Sequence, residues 1–193
     1  MKKWHKIGLA LLVIATLAYI KITFFPSADL IPSTEETTQE NTQQEPMPEN
    51  ARKIYVNVFF IGQNDKKEEV YRAVKREYNE KTDGTKLRFS IVNLLKGPTN
   101  KEKSKGVYSE IPQGTRLISL EETPEKVSIN LSGDFENGGG TDGLYKRIYQ
   151  LIKTSNKNAN AAVYLYIDGK QADVLGGEGL MINQPLNERS LDN

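Results

Sequence analysis

The sequence predicts an α+β protein: one compact domain with two helices packed on a mixed β-sheet, preceded by an N-terminal membrane helix and a flexible linker. Three observations lead to this prediction. Three lysines precede fourteen uncharged residues, Ile7–Ile20. A polar segment with few large apolar residues follows at 26–52. From residue 53 onward, stretches with strand alternation and stretches with helical periodicity follow one another, which is typical of an α+β domain.

The N-terminal segment, residues 1–25, is predicted to be an uncleaved membrane anchor. The nineteen residues Ile7–Phe25 carry one charge, Lys21. A helix of that length spans about 28 Å, close to the ~30 Å hydrocarbon thickness of a bilayer. A cleaved secretion signal is the alternative, although no small-x-small cleavage site follows the apolar run. Because lysines precede the span, we expect a single-pass protein of the bacterial cytoplasmic membrane, with its N-terminus inside and its domain outside.

Residues 26–52 are predicted to form a disordered acidic, proline-containing linker. Positions 26–51 carry six acidic residues and no Lys or Arg. Such a composition buries too little apolar surface to offset the entropy of ordering. The folded domain is assigned to 53–170. The C-terminal extension, 171–193, contains short apolar patches that can fold back on the domain, at Val174–Leu175 and Leu180–Ile182.

Composition excludes several classes of function. The chain has no cysteine, and its single histidine, His5, lies beside the N-terminal apolar run. Disulfides, thiolate chemistry and imidazole catalysis in the folded domain are therefore excluded. The domain carries a small, dispersed excess of positive charge. A nucleic-acid binder should instead show a strongly basic face, so no nucleic-acid partner is predicted.

The start of the domain is predicted to be a strand. Apolar residues across Ile54–Ile61 occupy both alternating sets, so we expect this strand to be central in the sheet. A turn, QNDKK, follows. The next segment, 70–78, fits two structures, because Val74 and Tyr78 lie on one helical stripe while the same stretch also tolerates strand alternation.

The remaining elements are clearer. A helix should begin after Thr85, a candidate N-cap, and end at Gly97 and Pro98, since proline cannot continue a helix beyond a glycine C-cap. Two strands, in IPQGTRLISLE and KVSINLS, should form a hairpin through EETPE. A second helix and the strand AAVYLYIDGK complete the domain. The apolar stripes are Leu87, Ile91, Leu94 and Leu95 in the first helix, and Leu144, Ile148, Leu151 and Ile152 in the second.

The loop NGGGTDG places Gly138, Gly140 and Gly143 in the G-x-G-x-x-G spacing of dinucleotide-binding loops. The preceding strand alternates with polar residues and ends near Ser132, several residues before the first glycine. In a dinucleotide site, a buried strand runs directly into the glycine turn. Asp168, the later acid, lies in a turn too far along the chain to bind the ribose. The sequence therefore predicts no nucleotide.

Three acids surround this loop: Asp134, Glu136 and Asp142. They would repel a diphosphate. A calcium loop built from them is an alternative, but their spacing does not match the EF-hand pattern, so no metal is predicted. The stretch is interpreted as a flexible loop before a helix that Thr141 or Asp142 caps.

The order of short motifs resembles the GerMN domain, a family named from a spore-germination and sporulation protein. The resemblance covers 53–170. It implies a compact α+β domain similar to a ring-building motif, with a strand at 70–78, and a tethered binding or assembly module rather than an enzyme. Members tethered by lipid use a cysteine, which this chain lacks. The motifs are LLKGP (94–98), SEIPQGTRL (109–117), VSINLSGDF (127–135), QLIKT (150–154) and VYLYIDGK (163–170).

Together these features predict a non-catalytic envelope protein that binds another envelope protein, itself or peptidoglycan, without a cofactor. The alternative is a cell-wall hydrolase, because glycoside hydrolysis requires only two carboxylates. The candidate carboxylates are Glu110, Glu121, Glu122 and Asp134. Four tyrosines could form a glycan platform: Tyr145, Tyr149, Tyr164 and Tyr166. A lysine-rich loop could meet an acidic polymer or lipid headgroups, through Lys96, Lys101, Lys103 and Lys105.

Overall fold

The structure is a computed structural model that describes residues 53–192. The predicted anchor at 1–25 and the predicted linker at 26–52 lie outside the described residues. Within 53–192, the helices are too short or too polar to cross a membrane.

The domain begins with a long antiparallel hairpin. Strand β1 (Ile54–Gln63) pairs along its whole length with β2 (Glu69–Tyr78). The turn between them is closed by the side chain of Asn64, whose Oδ1 accepts from the backbone nitrogens of Lys66 and Glu68 at 2.9 and 3.0 Å. The segment 70–78 is therefore a strand, as the family resemblance implied, and the helical alternative is wrong.

The expectation that β1 is central in the sheet is also wrong. Its second edge faces a helix, α3 (Gly140–Asn158), instead of another long strand. Thr154 Oγ1 accepts from the Phe59 amide at 3.0 Å, and the Asn158 side chain donates to the Asn57 carbonyl at 2.8 Å. Farther along, Ile61 forms an isolated bridge with Tyr108. Polar side chains of the helix thus satisfy backbone groups that a neighbouring strand would otherwise satisfy.

The first predicted helix is confirmed. Helix α1 (Lys86–Lys96) is capped by Thr85, whose side chain accepts from the Arg88 amide at 3.1 Å. It ends at Gly97, which adopts a φ of 77°. A single helical turn, α2 (Asn100–Lys103), follows. Leu87, Ile91 and Leu94 of its stripe are buried as the periodicity predicts, and Leu95 is half-buried.

The second strand group is a four-stranded mixed sheet in the order β3-β4-β5-β6. The predicted hairpin is β3 (Leu117–Glu122) and β4 (Lys126–Leu131). Strand β5 (Ala162–Ile167) runs parallel to β4, and α3 lies in the crossover between them, as a parallel pair requires. A short β6 (Lys170–Gln171) completes the sheet.

The expected fold class, α+β with a mixed sheet and few helices, is confirmed in this form. The single sheet expected from the sequence is instead divided, because α3 separates β1 from further pairing. The two main helices pack on each other and on β1, and their apolar sides share one core with the inward faces of β4 and β5. The inward residues of the two strands are Val127, Ile129, Leu131, Val163, Leu165 and Ile167.

The C-terminal extension, described to Asp192, packs on this core. It contains a small hairpin, β7 (Val174–Leu175) and β8 (Leu180–Met181). Farther along, Gln184 lies beside β5, where its amide side chain bonds both the nitrogen and the carbonyl of Leu165, at 2.9 and 3.0 Å. The buried apolar residues of the extension are Ala172, Leu175, Leu180, Ile182, Leu186 and Leu191.

Candidate functional site

The glycine-rich loop encloses a buried arginine. Arg147 lies on the inner side of α3 and is 1% exposed. Its Nη1 donates to the carbonyls of Phe135 and Asn137 at 2.6 and 3.0 Å, and its Nη2 donates to the carbonyl of Gly138 at 2.7 Å. We call this arrangement the arginine clamp. Burial lowers the pKa of Arg147 from its usual value, but a guanidinium remains charged in proteins.

The glycines are explained by the clamp. Gly138, Gly139 and Gly140 have φ values of 67°, 78° and 58°, in the left-handed region that favours glycine. A Cβ at Gly139 would lie 2.6 Å from Nη2 of Arg147, and one at Gly143 would lie 3.2 Å from Oε2 of Glu110. The three consecutive glycines therefore allow the chain to turn close to a guanidinium, and the closest approach is at Gly139, which is not one of the three glycines of the G-x-G-x-x-G spacing.

The start of α3 differs from the prediction. Gly139 occupies the N-cap position and supplies no side-chain cap, so the assignment of the cap to Thr141 or Asp142 is wrong. Asp142 instead pairs with Lys146 one turn later, at 2.8 Å. The left-handed Gly139 leads the chain into the helix, and its carbonyl accepts from the Gly143 amide at 3.0 Å.

The three acids of the calcium alternative each have a different partner. Asp134 accepts from the Ser132 hydroxyl at 3.0 Å, and Glu136 accepts from the Gly176 amide at 2.8 Å. Asp142 is the partner of Lys146 described above. Across residues 53–192, no cluster of three acidic or other metal-binding side chains is close enough to hold an ion.

The four candidate hydrolase carboxylates have different surroundings. Glu122 accepts from the hydroxyl of Thr85 at the start of α1. Asp134 interacts with Ser132, and Glu110 lies against the glycine loop. Glu121 is an exposed residue of β3. No two of the four share a hydrogen-bond partner among the described residues.

The four tyrosines do not form one platform. Tyr164 and Tyr166 are half-buried on the face of β5 that points away from the core. Lys126 lies over both rings and donates to the Tyr166 hydroxyl at 2.6 Å. Tyr145 and Tyr149 instead pack beside the core from α3. The predicted set is therefore split between the sheet and the helix.

The lysine-rich loop forms one side of a groove. We call this surface the lysine groove. Its volume is about 360 Å³, and it lies between the end of α1 and the segment that leads to β3. Its lining comes largely from two of the family motifs, LLKGP and SEIPQGTRL. The lining residues include Leu95, Pro98, Val107 and Ile111 as apolar groups and Lys96 and Lys103 as charged groups.

The loop of the groove is held in place by an ion pair. Arg76 of β2 makes a bidentate contact with Glu102, at 2.6 and 2.8 Å. Glu102 also closes a capping box with Thr99 at the start of α2. The Arg76 guanidinium lowers the pKa of Glu102 to about 2, as expected for a carboxylate in such a pair. Arg76 in turn lies 5.7 Å from the ring centroid of Phe60, which connects the loop to the core.

A second contact fixes the far side of the groove. Tyr108 exchanges backbone hydrogen bonds with Ile61, both at 2.9 Å, and its hydroxyl donates to Glu69. Burial, aided by Glu69, raises the pKa of Tyr108 to about 12. Glu69 also pairs with Lys146 at 2.9 Å. The groove is therefore preformed by contacts to the β1–β2 hairpin.

Sequence reasoning identified the lysine loop and the motifs separately but not the groove that they form together. It also missed Arg147. The signal for this residue was present, because position 147 lies three residues after Leu144 and four before Leu151, within the apolar stripe of a predicted helix. A charged residue in such a stripe is expected to be buried with partners.

Comparison with known proteins agrees with this fold. The first GerMN domain of the sporulation protein GerM from Bacillus subtilis aligns with a TM-score of 0.55 at 16% identity, covering 70% of this chain and 98% of that one. The tandem GerMN domains of the same protein align with a TM-score of 0.49 at 13% identity, covering 71% of this chain. The chain spans 46% of the length of that tandem structure. No curated protein matches the chain.

The family of the chain follows from its sequence. Residues 57–173 match the family described as Germane: sporulation and spore germination. This range is more than half of the 193 residues and contains every motif on which the GerMN resemblance was based. The resemblance is thereby confirmed, and the chain belongs to the Germane family of sporulation and spore germination.

Proposed function

We propose that this chain is a non-catalytic, membrane-tethered module that binds another envelope protein, a second copy of itself or cell wall on the outer face of the bacterial cytoplasmic membrane. The observation that carries the proposal is the lysine groove, a preformed open surface built from the family's motifs. The groove presents apolar side chains and lysines on one surface, groups that suit contact with a partner. The family description favours sporulation or spore germination as the process.

The tether is proposed from the sequence. The apolar segment at 1–25 would hold the chain in the membrane with its N-terminus inside, and the acidic linker at 26–52 would give the domain reach. A tethered module meets its partners at high local concentration, so weak surfaces can be sufficient for assembly.

The proposal is tested by photo-crosslinking of the full chain in its bacterial membrane. A photoreactive amino acid is placed at one exposed position on each of three surfaces: Lys101 in the groove loop, Ile118 on β3 and Val174 in the extension. We expect specific adducts in the membrane fraction from at least one position, and none without illumination. A chain that fractionates with cytosol, or gives no adduct at any position, would contradict the proposal.

Activity on cell wall provides an independent check. The purified full chain is run in a gel containing purified wall, beside a variant that carries Glu→Gln at 110, 121 and 122 and Asp134→Asn. The proposal expects no clearing by either protein. A cleared zone from the native chain that disappears in the variant would identify a hydrolase instead.

A further inference from the structure

We propose that the lysine groove binds an extended acidic peptide segment of a partner protein, in which an apolar side chain lies between carboxylates. This inference rests on the proposed binding function and names the surface and the chemistry of its partner. It depends on the charge of the rim, on the apolar part of the lining and on the contacts that hold the two sides of the groove.

The rim carries positive charge without internal compensation. Lys96 and Lys103 line the groove, and Lys101 and Lys105 lie in the same loop. Within residues 53–192, none of the four forms an ion pair. The acid among them, Glu102, is already neutralised by Arg76. Charges that are not paired within the domain remain available to carboxylates of a partner and attract them over roughly 8–10 Å at physiological salt.

We call the apolar part of the lining the floor of the groove; polar side chains, such as Tyr108, Ser109 and Gln113, lie in the same lining. Pro98, Val107 and Ile111 are buried residues whose surfaces meet at the groove, and Leu95 is half-buried beside them. A volume of about 360 Å³ is near the lower end for ligand sites and suits a short segment rather than a folded domain. An apolar side chain on this floor would gain free energy from removal of its surface from water.

These two features together favour a peptide over a phosphate polymer or a lipid surface. A polyphosphate would use the lysines but leave the apolar floor in contact with water. A peptide with an apolar residue between acidic ones uses both at once. Such a peptide would lose conformational entropy when it binds. The groove is already formed in the free domain by the Arg76–Glu102 pair and the Tyr108–Ile61 bridge, so its own loss of entropy on binding should be small.

The test uses fluorescence anisotropy with the full chain in detergent micelles. The probe is a fluorescein-labelled peptide with two leucines and a proline between pairs of glutamates. We expect saturable binding that weakens at least tenfold in the double variant Lys96→Glu and Lys103→Glu. The matched control, Lys66→Glu with Lys157→Glu, reverses two exposed lysines outside the groove lining and should change affinity less than twofold. Circular dichroism melting verifies that each variant is folded.

Two altered peptides test the two halves of the proposal. Leucine-to-serine changes in the peptide should weaken binding through loss of the floor contact. Glutamate-to-glutamine changes should weaken it through loss of the rim contact. A photoreactive residue at Gln113, an exposed residue of the lining, should form an adduct with the acidic apolar peptide. This adduct requires a seated peptide and does not depend on the charge-reversal variant.

The proposal would be overturned by any of three results: no binding at about 1 mM peptide, binding that ignores the leucine-to-serine change, or binding unchanged in the lysine double variant. If inorganic polyphosphate or vesicles of anionic phospholipid bind the native chain as well as the peptide does, the rim serves a polyanion and the peptide assignment is wrong. Membrane crosslinks from Ile118 or Val174 that persist in the double variant would leave the broader binding function standing while the groove assignment fails.

Discussion

The arginine clamp and the lysine groove place cations in opposite situations. Arg147 is almost completely buried and donates to three loop carbonyls, so its charge is used within the domain. The lysines of the groove are exposed or line an open surface, and they have no ion-pair partner in residues 53–192. A buried charge without partners would be strongly unfavourable, whereas an exposed one costs little. Arg147 therefore stabilises the fold, whereas the lysines of the groove are available to bind a partner.

The largest effect is expected from removal of the buried cation. Arg147→Met leaves the carbonyls of Phe135, Asn137 and Gly138 without their donor, and the residue at 147 and Phe135 are both buried. We expect the free energy of unfolding to fall by about 3–4 kcal/mol. Urea denaturation of the full chain in detergent, followed by circular dichroism, measures the change. The comparison fails if Lys101→Met, its exposed counterpart, is equally destabilising.

A pair of glycine substitutions sharpens the role of the loop. Gly138→Ala and Gly139→Ala both put a side chain at positive φ, but only the second meets Arg147, with a Cβ 2.6 Å from Nη2. We expect a loss of about 1 kcal/mol for the first, from backbone strain alone, and about 2–3 kcal/mol for the second. The same denaturation experiment gives both values.

The difference between the two glycine variants should shrink in the Arg147→Met background, because the atoms that clash are then missing. A difference that stays constant would mean that the clamp does not determine the shape of the loop. This double-mutant cycle isolates the contact from the strain that both variants share.

Acid should weaken the contact that holds the loop of the lysine groove, the Arg76–Glu102 pair. The pKa of Glu102 is about 2 in the folded chain, against 4.5 as its ordinary value. A lowered pKa means that the stabilisation is complete above about pH 4.5 and is lost as the pH falls toward 2, where the folded carboxylate also becomes protonated. We expect a loss on the order of 2 kcal/mol over this range. Glu102→Gln should remove this part of the pH dependence, and an unchanged pH profile would contradict it.

The smallest effects on stability are expected at the exposed lysines. Lys101→Ala and Lys105→Ala remove charges that have no ion-pair partner within 53–192. Each should change the free energy of unfolding by less than about 0.5 kcal/mol. Thermal melting is sufficient to measure this. A loss above 1 kcal/mol at either position would show that the loop lysines support the fold and would weaken the contrast with Arg147.

Elements governed by local chemistry were predictable. Helix α1 starts after Thr85 and ends at Gly97, because a side-chain cap and a left-handed glycine act over only a few residues. The β3–β4 hairpin followed from period-two alternation and a short turn in the same way. Elements whose partners are distant in sequence were not. β1 looked like a central strand, and only the side chains of α3 explain why it is not.

The same difference between local and distant contacts applies to the candidate site. The sequence identified the glycine loop and the four lysines, yet its interpretation of the loop as flexible overlooked the residue that the loop surrounds. Arg147 lies about ten residues beyond the carbonyls that it binds, so the spacing of the glycines in the loop does not predict its position. The groove brings residues 95–98 together with residues 107–113. The contacts to β1 and β2 that hold these two segments cannot be recognised from a local sequence pattern.

By itself, the sequence determined the α+β class, the start and end of α1, the β3–β4 hairpin and the family. These depend on side-chain periodicity, capping and turns, which are short-range interactions. The tertiary structure alone decided that the glycine loop surrounds Arg147, that α3 takes the place of a strand beside β1, and that two motifs and a lysine loop meet in one groove. Each of these requires hydrogen bonds or burial between residues far apart in the chain, and such pairings exist only when the whole core is assembled.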